Sequence, residues 1–249
     1  ASLFEKKILS AASTIIVTNE GTKNFYHREY GEKISEKIIV IHNSVLPNAK
    51  NPRISTPWAE KKKEPYTIIF TGRVSWPQLG AIKNLVQAVN GMDETKILFK
   101  LYSPMPKEHL NNIGIFESQK VQFSFAPPQD MPKVQGEADI LFLPLSWHTQ
   151  SQAIIDTATP GKLTDYLIAG RPILVHAPAS SFLIKYAREN NFAAVVAEEN
   201  IESLRSSIRK LISDEKFARE LVDNAQKTFA RNHDANKNSK IFAGIFRRN

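Results

Sequence analysis

The sequence contains no cysteine among its 249 residues. This absence excludes disulfide bonds, thiol catalysis and cysteine-ligated metal sites. No apolar run approaches the roughly 18 residues that a transmembrane helix requires, and the first residues do not follow the pattern of a signal peptide. We therefore expect a cytoplasmic protein.

Several chemical motifs are also missing. There is no GxxxxGK[ST] phosphate loop and no GxGxxG dinucleotide fingerprint. No HExxH or HxxxH spacing occurs, and no acidic cluster suggests a metal. We therefore expect neither a metal nor a dissociable cofactor.

What is present is typical of a globular protein, with 42% hydrophobic and 23% charged residues. The net charge of +8 is concentrated near the end of the sequence. Between Gln226 and Asn249 there are six Lys or Arg and one Asp, a local excess of +5. Because the rest is nearly balanced, we expect no nucleic-acid partner.

Apolar runs and amphipathic segments alternate along most of the chain. Beyond a helix, strand, helix and strand in the first 44 residues, the predicted strands are Thr67–Thr71, Ile97–Tyr102, Val121–Phe125, Asp139–Leu143, Ile173–Val175 and Ala193–Val196. The predicted helices are Pro77–Asn90, Lys107–Asn112, Met131–Glu137, Gly161–Ala169, Ser181–Asn190, Ile201–Ser213 and Asp214–Phe229. This alternation predicts an α/β fold with a doubly wound parallel sheet of about six strands, plus a partial second α/β domain.

The segment from Ala158 to His176 combines strong helix signals with a buried strand. Thr159 is a suitable N-cap, Pro160 suits the first helical turn, and Gly170 suits a left-handed C-terminal position. About 16 residues, from Pro144 to Thr159, separate this predicted helix from the preceding strand. Such a long loop at the carboxyl end of a strand is typical of a ligand site in open α/β sheets.

A glycine and an arginine end the first strand of the main domain. Gly72 lets a ligand approach the backbone, and Arg73 can bind a diphosphate through two parallel hydrogen bonds. A surface arginine after a turn glycine is the simpler alternative.

Three segments together resemble a known family. PGKLTDYLIAGRPILV resembles the donor-site segment of family-4-like glycosyltransferases with the GT-B fold, and IIFTGRVS resembles the strand before their diphosphate-binding arginine. ILSAASTIIVTNEGTKNFYHREYG, followed by KIIVIHNSV, resembles the end of their N-terminal domain. The resemblance implies a remnant of that acceptor-side domain at 1–44, a linker at 45–65, a donor-binding Rossmann-like domain at 66–230 and a basic tail at 231–249. A basic docking site at Lys61–Lys63 in the linker is a weaker alternative.

The resemblance also implies which residues bind the donor. Arg73 would bind the diphosphate, Asp165 the ribose hydroxyls, and Lys162 with neighbouring backbone amides the phosphates and sugar. The expected donor-binding set is Gly72, Arg73, Thr157, Thr159, Pro160, Gly161, Lys162, Leu163 and Asp165.

The sequence departs from the family at two positions. Gln78 stands where a lysine is usual, so Lys83 is a candidate substitute, and Thr157 stands where many members have an acid. His148, in the long loop, either touches the donor sugar or is a surface residue. A simple dipole interaction at the start of the helix is the alternative role for Asp165.

The resemblance implies transfer of a sugar from a UDP- or GDP-sugar to a glycan or lipid-linked acceptor, with retention, as in bacterial-type polysaccharide biosynthesis. The first part of the N-terminal domain would be absent, so we expect the chain alone to bind nucleotide without turnover. A nucleotide-sugar epimerase and a non-catalytic interaction module of the same fold remain alternatives.

The tail carries an apolar stripe at Ile241, Phe242, Ile245 and Phe246, followed by Arg247 and Arg248. Such a stripe suits an interfacial helix on an anionic membrane surface. In the resembled family, however, the last helix commonly packs on the N-terminal domain, which would bury the same residues.

Overall fold

The computed structural model of the chain describes residues 3–47, 64–93, 96–148 and 151–247. The proposed docking lysines Lys61–Lys63 and most of the expected linker lie outside these ranges, as do Thr149 and Gln150 of the long loop and Arg248 of the tail.

Residues 3–40 form a small α/β unit with a two-stranded parallel sheet. Its elements are α1 (Leu3–Ala11), β1 (Ile15–Val17), α2 (Glu20–Tyr30), α3 (Glu32–Ser35) and β2 (Ile38–Val40). Leu9, Ile15, Val17, Ile34 and Ile38 form its own small apolar cluster. Two strands are few for an independent α/β domain, which fits the expectation of a partial second domain.

The main unit is built around a six-stranded parallel sheet. Its strands are β3 (Tyr66–Thr71), β4 (Ile97–Tyr102), β5 (Val121–Ser124), β6 (Ile140–Pro144), β7 (Ile173–His176) and β8 (Ala194–Val196). Its helices are α4 (Trp76–Asn90), α5 (Lys107–Asn112), α6 (Met131–Gly136), α7 (Gln152–Thr157), α8 (Leu163–Ile168), α9 (Phe182–Asn190), α10 (Ile201–Ser213) and α11 (Glu215–Thr228). A short 3₁₀ helix, Pro128–Asp130, precedes α6.

The strand order across the sheet is β5-β4-β3-β6-β7-β8, with every pair parallel. From β3 the chain adds β4 and β5 on one side and then β6, β7 and β8 on the other side. The order in which strands are added therefore changes direction between β3 and β6. Two separate buried apolar clusters cover the two faces, one containing Phe70 and Leu85 and the other Tyr166 and Leu183. This is the doubly wound fold that the βα alternation predicts, with its topological switch point at β3 and β6.

The predicted start of the central helix is wrong by two residues. The chain forms a turn at Gly161 and Lys162, and α8 begins at Leu163 with Lys162 as its N-cap. Thr159 is not a cap, because its hydroxyl accepts a hydrogen bond from Asn19 instead. Gly170 does adopt a left-handed conformation, with φ of 62°. The long loop is also not continuous, because α7 lies inside it.

The chain returns to the first unit after α11. A π-helical segment, Phe229–His233, leads into α12 (Ala235–Phe246). Val45 forms a parallel bridge with Asp234, and the Asn238 amide donates to the His42 carbonyl at 3.0 Å. The three expected domain boundaries remain predictions, and the start of α12 contacts the segment that follows β2.

Candidate functional site

The candidate site lies at the carboxyl ends of β3 and β6, at the switch point of the sheet. Open α/β sheets bind ligands in the crevice that forms at such a point. β3 ends at Thr71 and is followed by Gly72 and Arg73, and β6 leads through α7 to Lys162 and α8. The fold therefore brings together two of the segments that the sequence singles out.

Gly72 has a conformation and a neighbour that both favour glycine. Its φ is +109°, a backbone region that side chains rarely tolerate. A Cβ placed on Gly72 would lie 3.6 Å from Cε and 3.9 Å from Nζ of Lys162. The Lys162 side chain thus lies against the backbone at the end of β3.

Lys162 is a largely buried cation. Its Nζ lies 4.3 Å from the centroid of the Phe70 ring, which faces it from β3. Desolvation lowers the pKa of Lys162 to about 8. In the described part of the chain no carboxylate forms an ion pair with it. A buried ammonium without a counter-charge is costly, and an anionic ligand would remove that cost.

Asp165, one helical turn after Lys162, is a partly buried acidic residue. It is half-buried in the first turn of α8, and desolvation raises the pKa of its carboxyl group. Across residues 3–47, 64–93, 96–148 and 151–247 its carboxylate has no hydrogen-bond or ion-pair partner, and Lys162 is not paired with it. Its oxygens are therefore free to accept hydrogen bonds from a ligand diol.

Tyr166 joins α8 to the end of β3. Its buried hydroxyl accepts a hydrogen bond from the Thr71 backbone N–H at 3.0 Å and lies 3.2 Å from the Thr71 hydroxyl. Burial raises the pKa of this phenol. Because Thr71 precedes Gly72 and Tyr166 follows Asp165, this contact holds the two halves of the site in register.

Arg73 is exposed and, within the described ranges, has no ion-pair or hydrogen-bond partner. It follows Gly72 directly, so a ligand held against Gly72 and Lys162 would be within reach of a flexible guanidinium. The role expected for Arg73 stays a prediction that this placement permits.

Gln78 and Lys83, the two residues of α4 considered as further contacts of the donor phosphates, have other partners in the structure. Gln78 forms a capping box with Ser75: its Oε1 accepts from the Ser75 N–H at 3.3 Å and the Ser75 hydroxyl at 2.8 Å. A Cβ on Gly114 would lie 2.9 Å from Lys83 Nζ, which places that ammonium beside the turn after α5.

The remaining predicted residues have mostly structural contacts. The Thr157 hydroxyl donates to the Ala153 carbonyl within α7 at 2.6 Å, and the Pro160 carbonyl accepts from the Leu163 N–H at 2.9 Å. Leu163 is buried in the core. His148 Nε2 lies 3.0 Å from Glu199 Oε2, at an exposed position. Because α8 has only six residues, its N-terminus supplies less dipole than the longer predicted helix would.

Two histidines that seem unpartnered in the sequence are buried and bonded. His176 lies 3.2 Å from Asn84 Nδ2, and His233 lies 2.9 Å from the Tyr186 hydroxyl. Burial lowers the pKa of each to about 4. Both are therefore neutral structural groups near pH 7. In the described part of the chain, no three His, Asp or Glu side chains converge as a metal site would require. Nor does that part contain a helix of the length and apolarity needed to cross a membrane.

No protein-family model and no curated protein sequence matches the chain. Several solved structures, however, match the chain in their fold. A glycosyltransferase from Rickettsia africae superposes with a TM-score of 0.75 at 15% identity, covering 100% of this chain and 67% of that one. HepE from Anabaena in complex with UDP-glucose superposes with a TM-score of 0.70 at 13% identity, covering 96% of this chain and 64% of that one. Sucrose-phosphate synthase from Thermosynechococcus elongatus superposes with a TM-score of 0.66 at 16% identity, covering 98% of this chain and 60% of that one.

These likenesses show that the chain has the GT-B glycosyltransferase fold, as the three sequence segments predict. The chain spans about three fifths to two thirds of the length of these proteins.

Proposed function

We propose that the chain is the donor-binding part of a glycosyltransferase that uses a UDP- or GDP-sugar. The observation that carries the proposal is Lys162, a largely buried ammonium at the switch point that lies against the backbone of Gly72 and has no counter-charge among the described residues. A nucleoside diphosphate supplies the missing negative charge. The UDP-glucose bound by HepE, a protein of the same fold, supports this donor class.

The residues have complementary parts in the proposed reaction. The bond between the anomeric carbon and the diphosphate oxygen breaks, and a bond from the acceptor hydroxyl oxygen to that carbon forms as the hydroxyl proton passes to the departing diphosphate. Lys162 and Arg73 stabilise the charge that develops on the departing diphosphate, while Asp165 accepts hydrogen bonds from the ribose. Transfer with retention and a glycan or lipid-linked acceptor, as in bacterial-type polysaccharide biosynthesis, complete the proposal. Alone, the chain binds the nucleotide without turnover.

The contacts at the start of α4 favour Lys162 over a residue of that helix as the main diphosphate cation. Gln78 is occupied as a cap, and Lys83 lies beside Gly114. This assigns the charge that the family usually places in α4 to the turn before α8.

Calorimetry with UDP, GDP and uridine tests the proposal. The wild-type chain is expected to bind one of the diphosphates more tightly than the nucleoside. Arg73→Ala removes a charge-assisted contact of roughly 1.5–3 kcal/mol, so diphosphate affinity falls about 10- to 100-fold. Uridine affinity changes little.

Lys83→Met is the control, because it also removes one positive charge but Lys83 lies beside Gly114. It is expected to leave UDP and GDP affinity unchanged. Equal small effects of Arg73→Ala on diphosphate and nucleoside binding would contradict the assignment, and a wild-type chain that binds neither nucleotide would favour the interaction module.

We also propose that α12 contacts an anionic membrane surface at the cytoplasmic face, where lipid-linked acceptors occur. Ile241, Phe242 and Phe246 are 49%, 48% and 65% exposed, so the described first unit does not bury the stripe. Co-sedimentation with anionic rather than neutral vesicles at low salt, reduced by Arg247→Glu, supports this contact. Equal sedimentation with both vesicle types would leave packing on a fuller N-terminal domain as the explanation.

A further inference from the structure

Asn19 lies at the point where the small N-terminal unit contacts the main unit. It follows β1, caps α2 and is only 1% exposed. Its Oδ1 accepts from the Thr22 N–H at 2.7 Å and lies 3.2 Å from the Thr22 hydroxyl. An N-cap requires only this oxygen, so the amide nitrogen remains for a second role.

The amide nitrogen donates across the interface. Asn19 Nδ2 lies 2.8 Å from the Thr157 carbonyl oxygen and 2.8 Å from the Thr159 hydroxyl. A primary amide has two N–H donors, and each is matched by one of these acceptors. Serine is an equally good cap, but its side chain is one atom shorter and has a single donor, so a serine that caps α2 would not reach these acceptors.

The surrounding contact is close. A Cβ on Gly21 would lie 2.7 Å from the Asp156 carbonyl oxygen and 2.8 Å from Phe182 Cβ, so α2 approaches α7 more closely than a side chain would allow. Arg28 also forms an ion pair with Asp156 at 3.6 Å. The Asn19 bonds are thus shielded and have little freedom to shift.

The bonded segment leads directly to the candidate site. Thr157 and Thr159 precede Pro160 and Gly161, and the turn then continues through the Leu163 N–H to Pro160 carbonyl bond of 2.9 Å and the Thr164 hydroxyl to Gly161 carbonyl bond of 3.2 Å. Lys162 lies within this turn. A contact that fixes Thr157–Thr159 therefore fixes where the Lys162 ammonium is presented.

We propose that Asn19 is a positioning residue, which holds the segment Thr157–Thr159 from the N-terminal unit and so presents Lys162 to the donor diphosphate. The inference rests on the proposed function for the identity of the ligand. It connects the N-terminal unit to the candidate site through the Asn19 side chain, so a change in the relative position of the two units would alter donor affinity.

The test uses the 249-residue chain and two matched substitutions. Asn19→Ser keeps the cap of α2 and removes both bonds to the main unit. Asn200→Ser is the control, because the Asn200 side chain caps α10 by accepting from the Ser203 N–H at 2.9 Å. Thr159→Val removes one acceptor from the opposite side. Calorimetry with UDP and amide hydrogen exchange of residues 157–163 are the two readouts.

The expected result is a five- to tenfold loss of UDP affinity for Asn19→Ser and a smaller loss for Thr159→Val. The double substitution is expected to be no worse than Asn19→Ser, because both remove the same contact. Exchange of residues 157–163 should be at least fivefold faster in Asn19→Ser than in Asn200→Ser.

Unchanged UDP affinity in Asn19→Ser, or equal exchange in both serine variants, would overturn the positioning role and leave Asn19 as a cap. If the wild-type chain binds neither UDP nor GDP, the proposed function fails. The exchange readout in the unliganded chain then still decides whether Asn19 holds the segment.

Discussion

Two buried cations flank helix α8, and the protein surrounds them in opposite ways. Arg171, at the amino edge of the sheet and 1% exposed, donates from Nε to the Gly136 carbonyl at 2.7 Å. Burial lowers the pKa of Arg171, and the nearby Asp139 carboxylate opposes that shift. Lys162, before the same helix at the carboxyl edge, has a pKa lowered by burial with no opposing carboxylate.

The difference is the one expected between a structural charge and a charge that binds a ligand. The amino edge neutralises its cation with protein groups, and Asp139 also accepts from the Thr67 N–H at 2.7 Å. At the carboxyl edge, Lys162 and Asp165 have no such partners among the described residues. An uncompensated buried charge lowers stability, so its retention suggests that another molecule supplies the counter-charge.

Replacing Arg171 should have the largest effect on folding. Arg171→Met leaves the Gly136 carbonyl and Asp139 without their cation, and breaking a buried pair in this way costs roughly 3–5 kcal/mol. Urea denaturation measures the loss. Arg188→Met, which removes an exposed arginine from α9, is the control and should cost little. A cost for Arg171→Met as small as for Arg188→Met would erase the contrast with Lys162.

Replacing Lys162 should instead increase the free energy of unfolding of the unliganded chain. The pKa of Lys162 falls from 10.5 to about 8 on folding, so below pH 8 the folded state carries a penalty of up to about 3 kcal/mol. That penalty decreases as the pH rises from 8 to 10.5. Lys162→Met is therefore expected to stabilise the unliganded chain near pH 7, with a smaller gain at pH 10. The same substitution should strongly reduce the affinity for UDP.

Thermal unfolding at both pH values, with and without UDP, measures these effects. In the wild type, UDP affinity should also fall as the pH rises above about 8, because the ligand binds the protonated amine. Destabilisation by Lys162→Met at both pH values would show that the lysine is a structural group like Arg171.

Removing the Tyr166 hydroxyl tests the connection between the two halves of the site. Tyr166→Phe leaves the buried Thr71 N–H without its acceptor, at a cost of roughly 1–3 kcal/mol. UDP affinity is expected to fall severalfold because Gly72 and Lys162 lose their register. Tyr102→Phe is the control, since that hydroxyl bonds to none of the described residues. Equal effects of the two substitutions on UDP affinity would refute the connection.

The smallest effect on folding is expected from Asp165, because its carboxylate has no hydrogen bond or ion pair with a described residue. Asp165→Ala should weaken UDP binding about tenfold, corresponding to roughly 1.4 kcal/mol, and leave pyrophosphate binding unchanged or slightly improved. In the wild type, UDP affinity should fall as acidic pH protonates the carboxyl group, whose pKa is raised. A lower melting temperature with intact UDP affinity would identify Asp165 as a dipole residue only.

The sheet of the main unit follows from local sequence patterns. Strands such as Ile97–Tyr102 and helices such as Ile201–Ser213 match their predicted bounds, because apolar period and end signals agree there. The short helices Glu32–Ser35 and Gln152–Thr157 are missed, since one or two turns leave too little periodicity to detect. The start of α8 predicted from Pro160 is too early, because proline is favoured in turns as well as in the first turn of a helix.

The candidate site can be named only partly from the sequence. Motif position nominates Gly72, Lys162 and Asp165 as candidates, but it does not indicate Asn19, Thr71 or Tyr166. The bond from Asn19 to Thr159 spans 140 positions and that from Thr71 to Tyr166 spans 95. Such pairs arise from the tertiary fold, and a single sequence carries no local signal for them. Arg171 is missed for the same reason.

The bridge between Val45 and Asp234 joins the segment after β2 to the start of α12. In the same stretch the Asn238 amide donates to the His42 carbonyl at 3.0 Å, and His233 Nδ1 lies 2.7 Å from the Asn43 carbonyl oxygen. The segment that leaves the small unit and the segment that enters α12 are therefore held side by side, so a substitution that loosens one is expected to loosen the other.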